Sequence, residues 1–437
     1  MTAVASLEDL FTAADRATLA AAGLTVAAAA HQLALLRGGM HRPHLLRPCT
    51  LGDGIVAPDA LAADFESLGA AYQEACREGR WMFFIPASGA ATRMAASLTD
   101  PAAVEKLRAH PAFARSTVPE LLKDPARWAA LPKALMPFHR AGEGVRTPVE
   151  EHIREAAALA PGATARLHFT ISPEHEALFL EEVARVLALL RPAGIEAEIT
   201  HSFQDPATQT IALDADGNPF RDAAGNLLLR PGGHGSLLRN LEAVARDGAT
   251  ARGAEFVWVR NIDNIPVEPL RAAGRALRRA LGGLLMRAAA SSPDRPARPS
   301  RVAGMVKNVG EPGGGPFWIQ GKSGPEVRIV ESAEVDKADA AHQEVFRSAT
   351  HFNPVDLACA LRDPSGHPFT LEDFSDPSAC FVADKTHEGK SLKALEWPGL
   401  WNGAMAGWST QCVEIPLTQF APVKTVADLL RAEHAGS

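Results

Sequence analysis

Several stretches of this chain set small, flexible residues beside charged ones, the combination that holds phosphates. The first is Pro86-Ala87-Ser88-Gly89-Ala90-Ala91-Thr92-Arg93-Met94, directly after the apolar run Trp81–Ile85. A small-residue loop that enters a helix exposes backbone N–H groups, and the helix N-terminus behind it favours an anion. Arg93 adds a permanent forked charge suited to phosphate oxygens. Ala87, Ser88, Gly89, Ala90 and Thr92 are therefore candidate nucleotide contacts, although an ordinary strand–helix turn reads the same way. Lys133, in Leu131-Pro132-Lys133-Ala134-Leu135, faces an apolar segment where an anionic partner would offset its burial. In Arg230-Pro231-Gly232-Gly233-His234-Gly235, Gly232 and Gly233 permit close backbone approach to a flat base or ribose. His234 either contacts the ligand or braces that loop. Gly304–Gly315 carries Lys307 and Glu311 and reads either as a substrate loop, with the lysine on a phosphate and the glutamate on hydroxyls, or as a plain hairpin.

Single residues at strand ends extend the set. Gln204 follows the strand-like Ile195–Ile199, and its amide offers a donor beside an acceptor, which matches the imide edge of uracil. Asp263 ends the run Phe256-Val257-Trp258-Val259-Arg260-Asn261-Ile262. A carboxylate there is placed to hold Mg²⁺ on a triphosphate, since Mg²⁺ takes few protein ligands and fills its shell with phosphate and water. Lys424 precedes Thr425 and Asp428, a capping-box pair that starts a helix, so an anion at Lys424 would also meet a helix N-terminus. Asn353, in the turn Thr350-His351-Phe352-Asn353, is a further candidate for an acceptor's hydroxyls.

Elements must bring these residues together. Trp81–Ile85, Ala165–Ile171, Phe256–Val259, Cys380–Ala383 and Cys412–Ile415 are short continuous apolar runs, as expected of strands buried on both faces. Helical segments, such as Pro173–Leu190 and Gly235–Ala245, lie between them. The alternation predicts an α/β fold around a mainly parallel sheet, with ligands beyond the carboxyl ends of the strands. Residues 6–37 and 58–79 read as helices, the first capped at Ser6. The chain then divides into an N-terminal helical region (1–79), a nucleotide-binding core (80–330) and a C-terminal part (331–437) that completes the acceptor and phosphate site. Residues 290–301, rich in Pro, Ser and Arg, are expected to form an exposed loop.

Composition narrows the function. The 437 residues carry 44 basic and 51 acidic side chains, a net charge of −7, which disfavours nucleic acid as a partner. Five dispersed cysteines with no C-x-x-C pair suggest reduced thiols in a cytoplasmic protein and no zinc site. No run of about 18 apolar residues predicts a membrane span. The start, Met1-Thr2-Ala3-Val4-Ala5-Ser6, lacks a basic leader.

Taken in order, these motifs resemble those of the UDP-sugar pyrophosphorylases, over about residues 81–430. Residues 86–94 resemble that family's G-x-G-T-R-[ML] signature, with Ala91 at its second glycine, where a methyl group is expected to narrow the approach to the phosphates. Pro132-Lys133 resembles its second phosphate element, and His168–Ser172 its strand ending in serine. Gln204 stands at the base-binding glutamine, Pro231–Gly235 at the base-and-ribose loop, and Asp263-Asn264 at the metal-binding Asp. Leu395-Glu396, Gly403-Ala404 and Trp408 are similar to the L-E…G-A…F stretch, which makes Glu396 a candidate substrate residue. Phe420–Leu430 matches F-x-P-V-K-T-x-x-D-L-L almost letter for letter.

The resemblance implies a three-layer, Rossmann-like sugar-nucleotidyltransferase fold with an N-terminal helical layer and a C-terminal α+β extension. It implies a Mg²⁺-dependent transfer from a nucleoside triphosphate, UTP, to a sugar 1-phosphate or similar phosphorylated small molecule. Arg93, Lys133 and Lys424 would then be catalytic, and Asp263 the metal ligand. Two other functions fit the same fold: a glycosyltransferase that uses a nucleotide sugar, and a non-catalytic nucleotide or sugar-phosphate sensor.

Overall fold

The computed structural model describes residues 7–38, 42–89, 91–142, 144–246, 253–290, 297–310, 313–321 and 324–435. Strand Trp81–Pro86 sets the plan. Trp81, Phe83 and Ile85 belong to one buried cluster, and Met82 and Phe84 to another. A strand apolar on both faces needs a covering layer on each side, and the fold supplies both.

Trp81–Pro86 pairs in parallel with Ala165–Thr170 on one side and with Phe256–Arg260 on the other. Ala197–Ser202 extends the sheet in parallel beyond Ala165–Thr170. On the other side Asp356–Ala360 runs antiparallel to both Phe256–Arg260 and Ser300–Lys307. Ser409–Glu414 and Gly54–Val56 then continue in parallel. With Thr50–Leu51 at the edge and His351–Phe352 paired to Ser300–Lys307, the sheet has ten strands. The expected α/β fold with a mainly parallel sheet is the one observed.

Helices Phe65–Arg77, Pro148–Leu159, Glu176–Leu190 and Glu268–Ala290 cover one face, with Tyr72, Ile153, Phe179 and Leu281 in its core. Trp81 stacks on Phe256 and Trp258 there, with ring centroids 5.2 and 5.7 Å apart. Pro148–Leu159 begins where its sequence says it should. Thr147 accepts the Glu150 N–H at 3.2 Å, proline takes the first turn, and Glu150 and Glu151 face the positive end of the helix dipole. The opposite face is covered by Leu238–Ala243 and by residues 400–408, through Leu241, Trp401, Met405 and Trp408.

Two small antiparallel sheets flank this core. Leu45–Pro48, Gly314–Gly321 and Gly324–Glu331 form one; Leu229–Arg230, Thr210–Leu213, Lys390–Glu396 and Phe381–His387 form the other. Helix Val26–Gly38 packs on the second, where Gln32 accepts the Ile211 N–H at 2.8 Å. The central sheet draws on residues 50 to 414, so the N-terminal, core and C-terminal stretches meet in one structure.

Several local expectations change. Cys380–Ala383 falls in the second small sheet, because only one face of Phe381–His387 has a layer to bury against. Ser6 lies outside the described residues, and the cap observed is Thr12, in a reciprocal capping box with Asp15. Residues 58–79 begin with a 3₁₀ turn, Pro58–Asp64, before the α-helix. Ser300 and Arg301 are not exposed loop. They open a central strand, and buried Arg301 donates to the Trp401 carbonyl at 2.5 Å and to Thr410 Oγ1 at 2.9 Å. Gly304–Gly315 is not a hairpin, since Ser300–Lys307 and Gly314–Gly321 belong to different sheets. All five cysteines are unpaired, and among the described residues no single helix is long and apolar enough to cross a membrane.

Candidate active site

A cleft of about 770 Å³ opens beyond the carboxyl ends of Trp81–Pro86, Ala165–Thr170 and Phe256–Arg260. Ser88, Gly89, Lys133, Gln204, Gly233, His234 and Asp263 all line it. Seven predicted residues, from five separate stretches of sequence, thus meet in one place.

One wall carries charge. Lys133 Nζ lies 2.5 Å from Asp263 Oδ2, and the two side chains are 18% and 17% exposed. Lys133 stands on a 3₁₀ turn whose next residues, Ala134 and Leu135, are buried in the core. Asp263 stands on a loop fastened from several sides. His152 Nε2 donates to the Ile262 carbonyl at 3.3 Å, and Arg260 to the Asn264 carbonyl at 3.3 Å. Burial, with Arg260 nearby, pushes His152 down to about 3, so it acts as a neutral donor. Arg260 is itself buried and faces Asp356, which also receives hydrogen bonds from Arg278 at 2.8 and 3.1 Å.

The same loop holds the C-terminal segment. Val423 N–H donates to the Asp263 carbonyl at 2.9 Å, and Ala421 N–H to Asn264 Oδ1 at 2.8 Å. Asn264 Nδ2 donates to the Pro354 carbonyl at 3.1 Å. Lys424 therefore follows a residue bonded to the main chain of Asp263, although it is not among the lining residues of the cleft. The expected capping box is present: Thr425 and Asp428 satisfy each other's backbone N–H groups and start a short 3₁₀ turn, Val426–Leu430. Farther along, His434 Nε2 donates to the Ala421 carbonyl at 3.0 Å.

A second group of lining residues suits a flat ring. Gln204 Nε2 donates to Thr208 Oγ1 at 3.2 Å. Asn240 holds the neighbouring Phe203 carbonyl at 2.8 Å. Gly233 has φ +75°, which favours glycine, and His234 stacks on Trp401 at 4.3 Å with planes 13° apart. His234 Nδ1 accepts the Leu400 N–H at 3.0 Å, so the proton sits on Nε2. Burial lowers its pKa against the pull of Glu331 and Glu396 and keeps it neutral. His234 thus braces the loop and lines the cleft at once. Trp401, which the sequence reading missed, donates through Nε1 to Glu331 at 3.1 Å.

Other candidates lie elsewhere. Ala87 is buried, and its N–H donates to the Thr170 carbonyl at 2.8 Å, so it belongs to the sheet. Gly232 backs the loop, its carbonyl accepting the Trp397 N–H at 2.8 Å. Arg93 is exposed on helix Thr92–Thr99, outside the cleft, with no ion pair among the described residues. Lys307 is exposed at the end of its strand. Buried Asn353 accepts the N–H of Val355, whose φ is +61°, at 3.1 Å, a turn-holding role. Glu396 lies behind Gly233, where an added Cβ would come within 2.9 Å of its Oε2. Lys307, Asn353 and Glu396 are not among the residues that line the cleft; Ala90, Glu311 and the Thr92 side chain lie outside the described residues. The Ala91 methyl does not narrow the cleft. It is buried with Met94, Leu98, Ile265 and Val423, and its φ of −81° needs no glycine.

The sequence matches the family described as "Domain of unknown function (DUF4301)" over residues 12–117, 110–294 and 293–435. No curated protein matches. The fold is similar to UDP-N-acetylglucosamine pyrophosphorylase from Trypanosoma brucei in complex with an inhibitor, with TM-score 0.58, 17% identity and coverage of 98% of this chain and 80% of that one. It is similar to a mutant of UDP-glucose pyrophosphorylase from Leishmania major in complex with UDP-glucose, with TM-score 0.56, 16% identity and coverage of 96% and 79%. UDP-glucose phosphorylase from Trypanosoma brucei gives 0.53, 14%, 95% and 77%.

Proposed function

We propose that this chain, which belongs to the DUF4301 family, is a Mg²⁺-dependent nucleotidyltransferase that joins UTP to a sugar 1-phosphate or similar phosphorylated small molecule and releases pyrophosphate. One observation carries the reading. The Lys133–Asp263 pair lines the same cleft as Gln204, Gly233 and His234, and the main chain just before Lys424 is bonded to that of Asp263. Charge for phosphates shares one cleft with a seat for a base. The fold likeness to pyrophosphorylases supports the same class of chemistry.

The donor set fits Mg²⁺. Three carboxylates line the cleft, Glu174, Asp205 and Asp263, and among the described residues no group of three or more His, Cys, Asp or Glu side chains would cage a cation, so Asp263 would act alone. A single carboxylate suits an ion that takes its remaining ligands from phosphates and water. Such an ion, once bound, would neutralise charge on the triphosphate.

The acceptor's phosphate oxygen attacks the α-phosphorus; the new P–O bond forms as the bond to the pyrophosphate oxygen breaks. The attacking group needs no strong base, because a phosphate monoester loses its second proton near pH 6. The protein's contribution is position and countercharge. Lys133 and Lys424 meet phosphate oxygens, Ser88 and Gly89 turn their loop toward them, and Gln204 with Gly233 selects the base.

Pyrophosphate release, followed with Mg²⁺, each nucleoside triphosphate and a panel of sugar 1-phosphates, tests the reading. Release with UTP and at least one acceptor is expected; none with any pair would sink it. Lys133→Ala and Asp263→Ala should each keep the fold and lower turnover at least about a hundredfold, the scale of lost electrostatic stabilisation.

A further inference from the structure

We propose that Lys133 gates Asp263: in the empty cleft it occupies the carboxylate that a divalent cation would use, and it yields that carboxylate when a polyphosphate draws it away. The proposal rests on the metal reading of Asp263 given above and adds a regulation of that same site.

The pair is close and sheltered. Nζ and Oδ2 are 2.5 Å apart, and more than four-fifths of each side chain is shielded from solvent. Its two halves come from elements 130 residues apart in sequence, each anchored independently. Ala134 and Leu135 sink the lysine's turn into the core. His152, Arg260 and Val423 hold the aspartate's loop by its carbonyls. The contact is therefore built by the fold rather than made by two wandering surface chains.

A cation and an ammonium compete for that carboxylate. Mg²⁺ sits about 2.0–2.1 Å from its oxygens, and the ammonium already fills the approach to Oδ2. Binding at the other oxygen would set a divalent ion and an ammonium side by side in a sheltered cleft, where like charges are poorly screened. Of the other carboxylates that line the cleft, Asp205 is held by Arg239 at 3.0 Å and by the Ala207 N–H at 2.9 Å, and Glu174 stands exposed on the turn Pro173–His175. Beside Asp263 itself, His152 is turned to a carbonyl, Arg260 is cationic, and Asp356 is taken up by Arg278 and Arg260.

A triphosphate changes both sides of the competition. It gives Lys133 a new anionic partner and gives the cation extra oxygens. Each ligand then favours the other by the same factor, as thermodynamic linkage requires. The cation alone binds weakly, and the cleft is charged for catalysis only when the nucleotide is in place.

Titration of the full chain with Mn²⁺ alone, reading free Mn²⁺ by electron paramagnetic resonance, tests the gate without any turnover. Wild type, Lys133→Met, Lys133→Gln, Lys133→Arg and Asp263→Asn are compared, each checked for its fold by circular dichroism. Removal of the ammonium should tighten Mn²⁺ at least tenfold in the Met and Gln variants. Lys133→Arg, which keeps the charge, should stay weak, and Asp263→Asn should abolish the site. An Asp263-dependent site of equal affinity in wild type and both uncharged variants overturns the gate and leaves the metal reading standing. If no variant shows Asp263-dependent Mn²⁺ binding, gate and metal reading fall together.

Discussion

Asn264→Ala tests how the C-terminal segment reaches the cleft. The Asn264 side chain, 1% exposed, makes two bonds: Oδ1 accepts the Ala421 N–H at 2.8 Å, and Nδ2 donates to the Pro354 carbonyl at 3.1 Å. Truncation strands a donor and an acceptor in the interior. Each unsatisfied buried group costs about 1–3 kcal/mol, so the loss is roughly 2–6 kcal/mol. That is a large share of the ~5–15 kcal/mol that holds a typical protein folded. Urea unfolding gives this number directly. A second effect follows for activity. The segment carrying Lys424 keeps its bond from Val423 to Asp263 but loses the neighbouring clasp, so the lysine drifts. Misplacement on the scale of 1 Å can cost roughly a hundredfold, so turnover at a temperature where the variant is fully folded should fall by roughly 10- to 100-fold. If the loss works through Lys424, Asn264→Ala should add little to Lys424→Ala, because the two act as one unit. A stability change below about 1 kcal/mol, or losses in turnover that simply multiply in the double variant, would refute the reasoning.

Three further outcomes are expected. Gly232→Ala would set a Cβ 2.5 Å from Trp397 Cδ1 and 2.6 Å from both Ser236 Oγ and the Thr208 carbonyl, so it should cost about 1–3 kcal/mol in unfolding and raise the KM for the nucleotide with a smaller change in kcat. Burial alone would raise the pKa of Glu151, but hydrogen bonding from His139 and the charge of Arg271 prevail and bring it from an ordinary 4.5 to about 2. Its folded pKa is depressed, so the stabilisation is present above about pH 4.5 and lost as pH falls toward 2; at ~1.4 kcal/mol per unit that is about 3 kcal/mol, visible in melting curves and absent from the acid limb of Glu151→Gln. Arg93→Ala should leave stability within about 0.5 kcal/mol, as for other exposed sites, and turnover nearly unchanged, because Arg93 lies outside the cleft; a loss of turnover above about tenfold would return Arg93 to the catalytic set.

Much of the fold was legible because its signals are local. Trp81–Ile85 reads as a central strand since every residue in it has a buried neighbour on one face or the other. The Thr425–Asp428 box closes within one turn, so four letters suffice to find it. The cleft residues Gln204, His234 and Asp263 were legible from their place after strands and in a glycine-rich turn, which is where an open sheet exposes side chains, and Lys133 from the apolar segment beside it. What escaped depends on partners far along the chain. Trp401 becomes part of the cleft by stacking on a histidine 167 residues earlier, and nothing near Trp401 marks it. Asn353 and Glu396 look like ligand groups in sequence, yet one caps a turn at Val355 and the other stands behind Gly233. Arg260, Arg271, Arg278 and Arg301 carry charges that composition would assign to the surface, but carboxylates or carbonyls from distant segments take them inside. The Ala91 methyl follows the same rule: it packs with Ile265 and Val423, which lie far along the chain from its loop.

The placement of Ser409–Glu414 between Ser300–Lys307 and Gly54–Val56 has a consequence for synthesis. Gly54–Val56 leaves the ribosome early, but the strand that joins it to the rest of the sheet comes some 350 residues later, roughly 20–70 s at usual elongation rates. Until then the hydrogen-bonding edge of Ser300–Lys307 stands open in a nearly complete sheet, a surface that invites pairing with a neighbouring chain. Residues 421–424 follow only after that strand and close over Asp263 last. A nascent chain stalled before this point would hold Lys133, Gln204 and His234 without the segment that bonds to the main chain of Asp263. It would present a sticky half-sheet to chaperones rather than a weakly active enzyme to the cell.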